Sequence, residues 1–391
     1  MSLSINNPEK FMDYANISKN KLNDAIDTAC SRLRKLIPEF ENSFPGVCST
    51  GFKYIPGMNN NWECGMFTGC FWLAYMLTGD EKFKKVALKH LDTYKWRLDK
   101  NVGLNDHDVG FVFTPSCVGG FIADKNEYAR ELAIKGAGEL YTHYTPVGKY
   151  ILHTGRPGGP TSWRIIIDTI MNAPLLFWAG KELGREEYTE AAINHCYKEI
   201  ETIVRDNGST WHHFQYEAET FKPLYPISGQ GYSLDGCWSR GNSWAVYGFP
   251  IAYSYTKNED FRKVHEKVAS YFLNHLPKDY VPYWDFYFND GSGEERDASA
   301  AAIAACGFDE MSSHIEDGET KTIFRNASSK ILESLIENYA NHDNDNADGL
   351  LLGVTHCKPD GKGLNECAVY GDYFYLEALA RYTIADFKMF W

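Results

Sequence analysis

The stretch GCFWLAYMLTGDEKFKKVALKHL, residues 69–91, decides the fold class. Its first half is a bulky apolar segment, and its second half repeats apolar residues at helical spacing from Phe83 to Leu91. Gly79 and Asp80 stand between the halves, where a glycine can end one helix and an aspartate can begin the next. The stretch therefore predicts two helices joined by a tight turn.

The same pattern recurs at irregular intervals, with about 45 to 75 residues from one turn to the next. Further copies are predicted at 124–140 with Tyr128 in the aromatic place, at 171–200 with Gly184 and Tyr188, and at 241–273 with Phe261, and a last apolar helix at 370–383. Repeated helical hairpins build either an open solenoid or a closed toroid. Closure is favoured, because long loops rich in Gly, Asp and Trp suit a funnel-shaped site at one end of a ring.

Strand-like stretches are few. Residues 110–114 and 280–288 are the candidates, but neither is followed by the helix and second strand of a parallel sheet. No Pro/Ser/Gly-rich linker divides the chain into two compositions. The sequence therefore predicts an all-α fold and one catalytic domain spanning 1–391.

Composition narrows the classes of function. A net charge of −13, with no strongly basic segment, argues against a nucleic-acid partner. Neither an export signal nor a run of roughly 18 apolar residues is found, so we expect a cytoplasmic protein without a membrane partner. The ten cysteines have no zinc-ligand spacing, and the glycine-rich and acidic runs fit no nucleotide or calcium loop. No cofactor or metal is predicted.

Asp168 is the first candidate for chemistry. It lies in RIIIDTIMN, residues 164–172, among apolar residues. Burial disfavours the charged form of a carboxyl group and raises its pKa, which is how a general acid is made. Alternatively, Asp168 caps the following helix, which includes Met171, or pairs with Arg164.

A second candidate is Asp108 in GLNDHDVGFVF, residues 103–113, where a polar loop with His107 runs into an apolar segment. Asp106 and Asp108 could equally be turn formers beside glycines. The pair His212 and His213 adds possible donors, or else belongs to the core or surface.

The loop GQGYSLDGCWSRGNSWAVYGF, residues 229–249, supplies the third candidate set. Arg240 could hold a carboxylate in a bidentate fork, and Trp238 or Trp244 offers a flat platform for a sugar ring. The alternative is an ordinary loop with an arginine ion pair. Aromatic residues make up 15% of the chain, which fits sugar contacts as well as a core.

Five stretches together resemble the unsaturated glucuronyl hydrolases of glycoside hydrolase family 88, in the same order along the chain. They are NNWECGMFTGCFWLAYMLTGD (60–80), NDHDVGF (105–111), IIDTIMN (166–172), CWSRGNSWAVYGF (237–249) and GDYFYLEALAR (371–381). The resemblance implies an (α/α)6 barrel that acts on the products of polysaccharide lyases. Such products carry a sugar with a C4=C5 double bond at the non-reducing end, and the family hydrates that double bond.

The resemblance also implies roles for individual residues. The aspartate of the family's HDxGF motif falls on Asp108, and that of its IIDxxMN motif falls on Asp168. Asp168 would protonate C4 and activate the water that attacks C5, and Asp108 would assist. Contacts to the substrate would come from His107, Trp62, His212, Gln230, Arg240, Trp244 and Lys362.

One departure from the family pattern concerns sulfate. Streptococcal members that prefer sulfated disaccharides have a serine-rich segment ending in lysine where this chain has THCKPDGKGLNE, residues 355–366. Lys362 fits that lysine, but Cys357 and Asp360 stand in place of serines, and Gly229 stands in place of a sulfate-binding arginine. We therefore expect no strong preference for sulfated substrates.

Three other functions remain open from the sequence. An unsaturated rhamnogalacturonyl hydrolase would share the barrel and the chemistry, although the NDHDVGF loop fits the glucuronyl family better. An inverting glycosidase on the same toroid would use two carboxylates on either side of a water molecule. A sugar-binding protein without activity would not need both aspartates. The oligomeric state is not predicted.

Overall fold

The computed structural model describes residues 3–14 and 16–391, and these are predominantly helical. The α-helices are α1 Lys19–Phe40, α2 Glu63–Thr78, α3 Glu81–Lys100, α4 Val109–Phe113, α5 Gly119–Asp124, α6 Glu127–Tyr141, α7 Pro174–Leu183, α8 Glu186–Lys198, α9 Ser239–Thr256, α10 Glu259–Asn274, α11 Ala298–His314, α12 Glu319–Ser334 and α13 Val369–Thr383. Short 3-10 turns span Pro8–Phe11 and Ile167–Met171, and π-helical turns span Thr114–Val118, Glu199–Ile203 and Leu335–Tyr339.

The helices form two concentric layers. The inner layer is α2, α4 with α5, α7, α9, α11 and α13, and most of its residues are buried on every side. The outer layer is α1, α3, α6, α8, α10 and α12, which are amphipathic and bury one face. Each inner helix packs on the next, and α13 packs on α2 to close the ring. The predicted (α/α)6 barrel is confirmed.

Local capping chemistry sets the hairpin turns. The inner helices α2, α5, α7 and α9 end at residues with a left-handed backbone, for example Gly79 at φ 69° and Gly184 at φ 65°. The outer helices α3, α6 and α10 then begin at a side chain that accepts a backbone N–H, as Asp80 does for α3. The four hairpin turns predicted from the sequence are confirmed. The hairpin of α11 and α12 and the first outer helix α1 were not predicted.

The predicted strand candidates are wrong. Residues 110–114 lie in α4 and the π-helical turn that follows it, and 280–288 contribute only isolated bridges to the described part of the chain. An inner helix is apolar on all sides, so a short piece of it cannot be told from a buried strand. The strands are β1 Phe44–Pro45, β2 Pro56–Gly57, β3 Tyr144–Thr145, β4 Tyr150–Ile151, β5 Arg164–Ile166, β6 His213–Tyr216 and β7 Pro223–Ile227.

These strands pair in antiparallel fashion within the loops. β1 pairs with β2, β3 with β4, and β5, β6 and β7 form one small sheet in which Ile166 faces His213. The sheet brings two candidate residues together, because β5 runs directly into the turn that carries Asp168 and β6 directly follows His212.

The two ends of the barrel differ. Short turns at 79–80, 125–126, 184–185 and 257–258 lead from inner to outer helices, whereas long loops at 41–62, 101–108, 142–166, 204–238, 275–297 and 340–368 lead back. The N-termini of the inner helices therefore converge at the end that the long loops surround. Among the described residues, no helix combines the length and apolarity needed to cross a membrane.

Candidate active site

Asp168 lies at the converging end of the barrel, in the 3-10 turn Ile167–Met171 that precedes α7. Ile167 and Ile170, its apolar neighbours in that turn, are at most 1% exposed. Burial raises the pKa of the Asp168 carboxyl, while the charges of His107 and Arg240 act in the opposite direction. The side chain does not cap a helix, and Arg164 donates instead to the Nδ1 atom of His153 at 3.4 Å.

Asn172 joins the two aspartate-bearing segments. Its Oδ1 atom accepts the backbone N–H of Phe111 at 2.6 Å, and its Nδ2 atom donates to the carbonyl of Asp168 at 3.0 Å. Gly110 allows this approach, because a Cβ atom there would lie 2.4 Å from the Cα atom of Asn172. The loop of Asp108 and the turn of Asp168 are therefore held together by one amide side chain.

Asp108 stands directly before α4. Burial raises the pKa of its carboxyl well above the usual range, and the nearby carboxylates of Asp106, Asp168 and Glu63 add to the effect. The Nε2 atom of His107 lies 3.2 Å from its Oδ1 atom. The Nδ1 atom of His107 is 3.0 Å from the carbonyl of His153, which can only accept, so Nδ1 carries a proton.

His212 faces Asp168 from the other side. Its Nδ1 atom accepts the backbone N–H of Gln230 at 2.8 Å, so the proton of the neutral ring is on Nε2. That Nε2 atom lies 3.5 Å from the Oδ2 atom of Asp168. Burial lowers the pKa of His212 well below its usual range, which keeps the ring neutral. His212 thus places a neutral ring close to Asp168, although the two atoms do not form a hydrogen bond in this arrangement.

A row of four histidines connects the two aspartates. The ring centroids of His107 and His153 are 5.1 Å apart, those of His153 and His213 are 5.3 Å apart, and those of His213 and His212 are 4.0 Å apart. Burial lowers the pKa of both middle rings, so they contribute shape rather than charge. His153 was not predicted, since a lone histidine carries no motif signal.

Arg240 occupies the first turn of α9 and is 2% exposed. One terminal nitrogen donates to Asp297 at 2.6 Å and to the carbonyl of Thr355 at 2.9 Å. The other donates to the Oε1 atom of Gln230 at 3.0 Å and to the carbonyl of His356. The predicted bidentate fork for a carboxylate is therefore wrong in this arrangement, because protein groups use the four terminal N–H bonds. The positive charge still faces Asp168.

The predicted tryptophans differ in exposure. Trp62 is half-buried and stacks on Tyr370 with ring centroids 5.4 Å apart, so one face can still meet a sugar. Trp244 is 1% exposed, and its ring packs between Phe111 and Phe374. A stacking role for Trp244 is therefore wrong. Its Nε1 atom is buried without a hydrogen-bond partner among the described residues, and its proximity to Asp168 lowers the pKa of that carboxyl.

Lys362 is exposed on the loop 340–368, where its backbone pairs with Cys357. Its positive charge lowers the pKa of Glu63, so the ammonium group lies within electrostatic range of that carboxyl. All the predicted site residues are thus gathered at the converging end of the barrel.

Two buried carboxyl groups near the site were not predicted. Glu63 is the first residue of α2 and 1% exposed, and neither oxygen has a hydrogen-bond partner among the described residues. Burial raises its pKa to about 7. Glu199 is fully buried 3.1 Å from the Nε2 atom of His195, in a π-helical turn that packs on the turn of Asp168. Glu63 directly follows Trp62, so the sequence offered a reason to place it near the site. Glu199 follows the outer helix α8 and belongs to no recognised motif.

The model of Glycosyl Hydrolase Family 88 matches residues 37–382. The chain belongs to this family. An unsaturated chondroitin disaccharide hydrolase of Streptococcus pneumoniae is 38% identical to it over 99% of this chain and 98% of the relative. An unsaturated glucuronyl hydrolase of Bacillus sp. is 33% identical over 92% of this chain and 95% of that protein.

Solved structures of the family share the complete barrel. An unsaturated glucuronyl hydrolase from Streptococcus agalactiae superposes with a TM-score of 0.96 at 36% identity, covering 100% of this chain and 98% of that one. A mutant of that enzyme, complexed with dGlcA-GalNAc6S, superposes with a TM-score of 0.88 at 35% identity and the same coverage. The resemblance inferred from five sequence stretches is therefore confirmed.

Proposed function

We propose that the protein removes the Δ4,5-unsaturated glucuronic acid from the non-reducing end of lyase-generated glycosaminoglycan oligosaccharides. The observation that carries this proposal is the Asp168 carboxyl, whose pKa is raised by burial, and which lies 3.5 Å from the neutral ring of His212 and within range of the charge of Arg240. Family membership supports the same reaction, since the relatives that match nearly the whole chain are an unsaturated chondroitin disaccharide hydrolase and an unsaturated glucuronyl hydrolase.

The proposed chemistry begins with the C4=C5 double bond of a cyclic enol ether. Asp168 transfers its proton to C4, and the positive charge that develops at C5 is shared with the ring oxygen. Water then attacks C5 while the Asp168 carboxylate accepts the proton of that water, which restores the acid. The hydrated sugar opens to a keto acid, and the neighbouring sugar is released.

The surrounding groups support each stage. The Nε2–H group of His212 lies where it can stabilise the Asp168 carboxylate formed after proton transfer. Arg240 supplies a fixed positive charge for the uronate, with Gln230 beside it. We further propose that Asp108 holds ring hydroxyl groups, that Trp62 packs against the sugar and that Lys362 contacts the second sugar.

Solvent deuterium separates this reaction from that of an inverting glycosidase. Hydration of the double bond in ²H₂O places one deuterium on C4 of the released keto acid. Direct attack at the anomeric carbon would first release a free unsaturated sugar with its double bond and an unlabelled C4. Mass spectrometry and ultraviolet absorbance detect that sugar when the reaction is quenched before its ring opens to an enol, which would itself take up solvent deuterium at C4. An unlabelled product would overturn the proposed reaction.

We also propose that the enzyme has no strong preference for sulfated substrates. Gly229 has φ +56°, and a Cβ atom there would lie 1.9 Å from the Nδ1 atom of His212, so this backbone leaves no room for an arginine. Asp360 is an exposed acid two residues from Lys362 and would repel sulfate. A panel of chondroitin, hyaluronan and heparin disaccharides, with and without sulfate, followed by loss of the conjugated chromophore, tests this.

A small unsaturated oligosaccharide is the proposed partner, with neither nucleic acid nor a membrane involved. All ten cysteines are free, which supports a reducing compartment and hence the cytoplasm. The assignment of 1–391 to a single domain stays a prediction.

A further inference from the structure

An exposed aromatic cluster lies on two of the long loops. Tyr232 is 51% exposed on the loop 204–238, and Tyr287 is 59% exposed on the loop 275–297. Their ring centroids are 4.7 Å apart with the planes tilted by 33°. Phe288 and Trp284 support them from beneath, with centroids 5.0 and 6.2 Å from that of Tyr232. Exposing large rings side by side removes little apolar surface from water, so folding alone does not explain them.

One buried carboxylate fixes both exposed tyrosines. Asp285 is fully buried, and its Oδ2 atom accepts the backbone N–H of Tyr232 at 2.9 Å. Its Oδ1 atom accepts the backbone N–H groups of Tyr287 and Cys237, each at 2.9 Å. The backbone under the two rings is therefore set before any ligand arrives, which reduces the entropy lost on binding.

The cluster is continuous with the candidate active site. Gln230, which bonds both His212 and Arg240, stands two residues before Tyr232. The carbonyl of Trp284 accepts the backbone N–H of Ser239 at 3.1 Å, and Ser239 adjoins Arg240. The same loop contacts the loop of Lys362 through an ion pair between Lys358 and Glu295. The cluster thus borders the end of the barrel at which substrate would enter.

We propose that Tyr232 and Tyr287 form a binding subsite for the third and later sugar rings of an unsaturated oligosaccharide. The apolar face of a pyranose ring packs on an aromatic face, and tyrosine supplies that face with a hydroxyl at its edge. This inference rests on the proposed function and deepens it, because it predicts that the enzyme takes chains longer than a disaccharide.

The test compares an unsaturated disaccharide with the unsaturated tetrasaccharide of the same unsulfated chondroitin, measured as loss of the chromophore. For Tyr232→Ala and Tyr287→Ala we expect kcat/KM on the tetrasaccharide to fall by about five- to tenfold, the loss of one aromatic contact. We expect kcat/KM on the disaccharide to stay within twofold. Tyr232→Phe keeps the ring and should keep both values.

Tyr197 provides the matched control, because it is 39% exposed on α8 and contacts Asn258 at the opposite end of the barrel. Tyr197→Ala should change neither substrate. An unchanged ratio in both cluster variants would overturn the subsite, as would an equal loss on both substrates. If the parent enzyme turned over neither substrate, the proposed function itself would fail instead.

Discussion

The Nε2 atom of His212 lies 3.5 Å from the Oδ2 atom of Asp168, and the ring of His212 is held neutral with its proton on that atom. A neutral donor does not force the acid to ionise as a positive charge would, yet it can stabilise the carboxylate once the proton has left. The relationship supports the proposal that Asp168 acts first as an acid and then as a base.

Replacing Asp168 with asparagine should separate chemistry from binding. Asp168→Asn removes the transferable proton but keeps the shape, so kcat should fall by roughly 10²- to 10⁴-fold while binding changes little. Chromophore loss measures the first quantity, and calorimetry on an unsaturated disaccharide measures the second. Asp206→Asn, at a fully exposed aspartate, is the control. Activity within a few-fold of the parent would show that Asp168 is only structural.

Gly229 should matter to activity through His212. In Gly229→Ala the new Cβ atom would lie 1.9 Å from the ring nitrogen of His212, so the histidine must move away from Asp168. We expect kcat to fall at least tenfold. Gly184→Ala is the matched control, because Gly184 has a similar φ of +65° with no atom within 4 Å of the added Cβ.

Gly184→Ala should therefore destabilise the protein by about 1 kcal/mol and leave kcat unchanged. Thermal melts and initial rates measured on both variants decide the matter. Equal effects of the two substitutions on kcat would contradict a specific role for the contact with His212.

Arg240 should contribute separately to stability and to activity. Arg240→Met leaves the carboxylate of Asp297 buried without its positive partner, which costs about 3–5 kcal/mol in the free energy of unfolding. Adding Asp297→Asn removes the unpaired charge and keeps an acceptor for Ser299, so stability should partly recover. Activity should stay low in both variants because the uronate has lost its cation. Recovery of activity together with stability would show that Arg240 only supports the fold.

Glu63 should make stability depend on pH. Its pKa is raised from 4.5 to about 7 in the folded protein, so the folded state binds more protons than the unfolded state between these values. The stabilisation is fully present below about pH 4.5 and is lost as pH rises through 7. Glu63→Gln cannot ionise, and its free energy of unfolding relative to the parent should therefore rise over this range by up to about 3 kcal/mol.

Chemical denaturation at pH 4.5, 6 and 7.5 measures this difference. Glu319→Gln, in the first turn of an outer helix at the opposite end of the barrel, serves as the matched control for loss of a carboxyl group away from the site. A constant difference for Glu63→Gln would mean that Glu63 ionises normally in the folded state.

Much of the helical framework could be predicted from the sequence because the residues that end and begin helices act locally. Gly79 with Asp80, and Gly184 alone, mark turns through backbone preferences that involve only adjacent residues. The helix α1 has a similar local signal in its N-cap residue Ser18, although it was not predicted. The helix α11 was not predicted because it is rich in alanine and lacks the bulky apolar residues that mark the other inner helices. Its small side chains allow close packing against α9.

By itself the sequence determined the helical hairpins and the apolar surroundings of Asp168, because periodicity, capping and neighbouring isoleucines act within a few residues. The hydrogen-bond partners of the site residues became known only from the tertiary structure. Asn172 meets Phe111 across 61 residues, and Arg240 meets Asp297 across 57. Such partners depend on which helix ends converge when the ring closes, so no local pattern could reveal that Arg240 is already engaged or that Trp244 is enclosed.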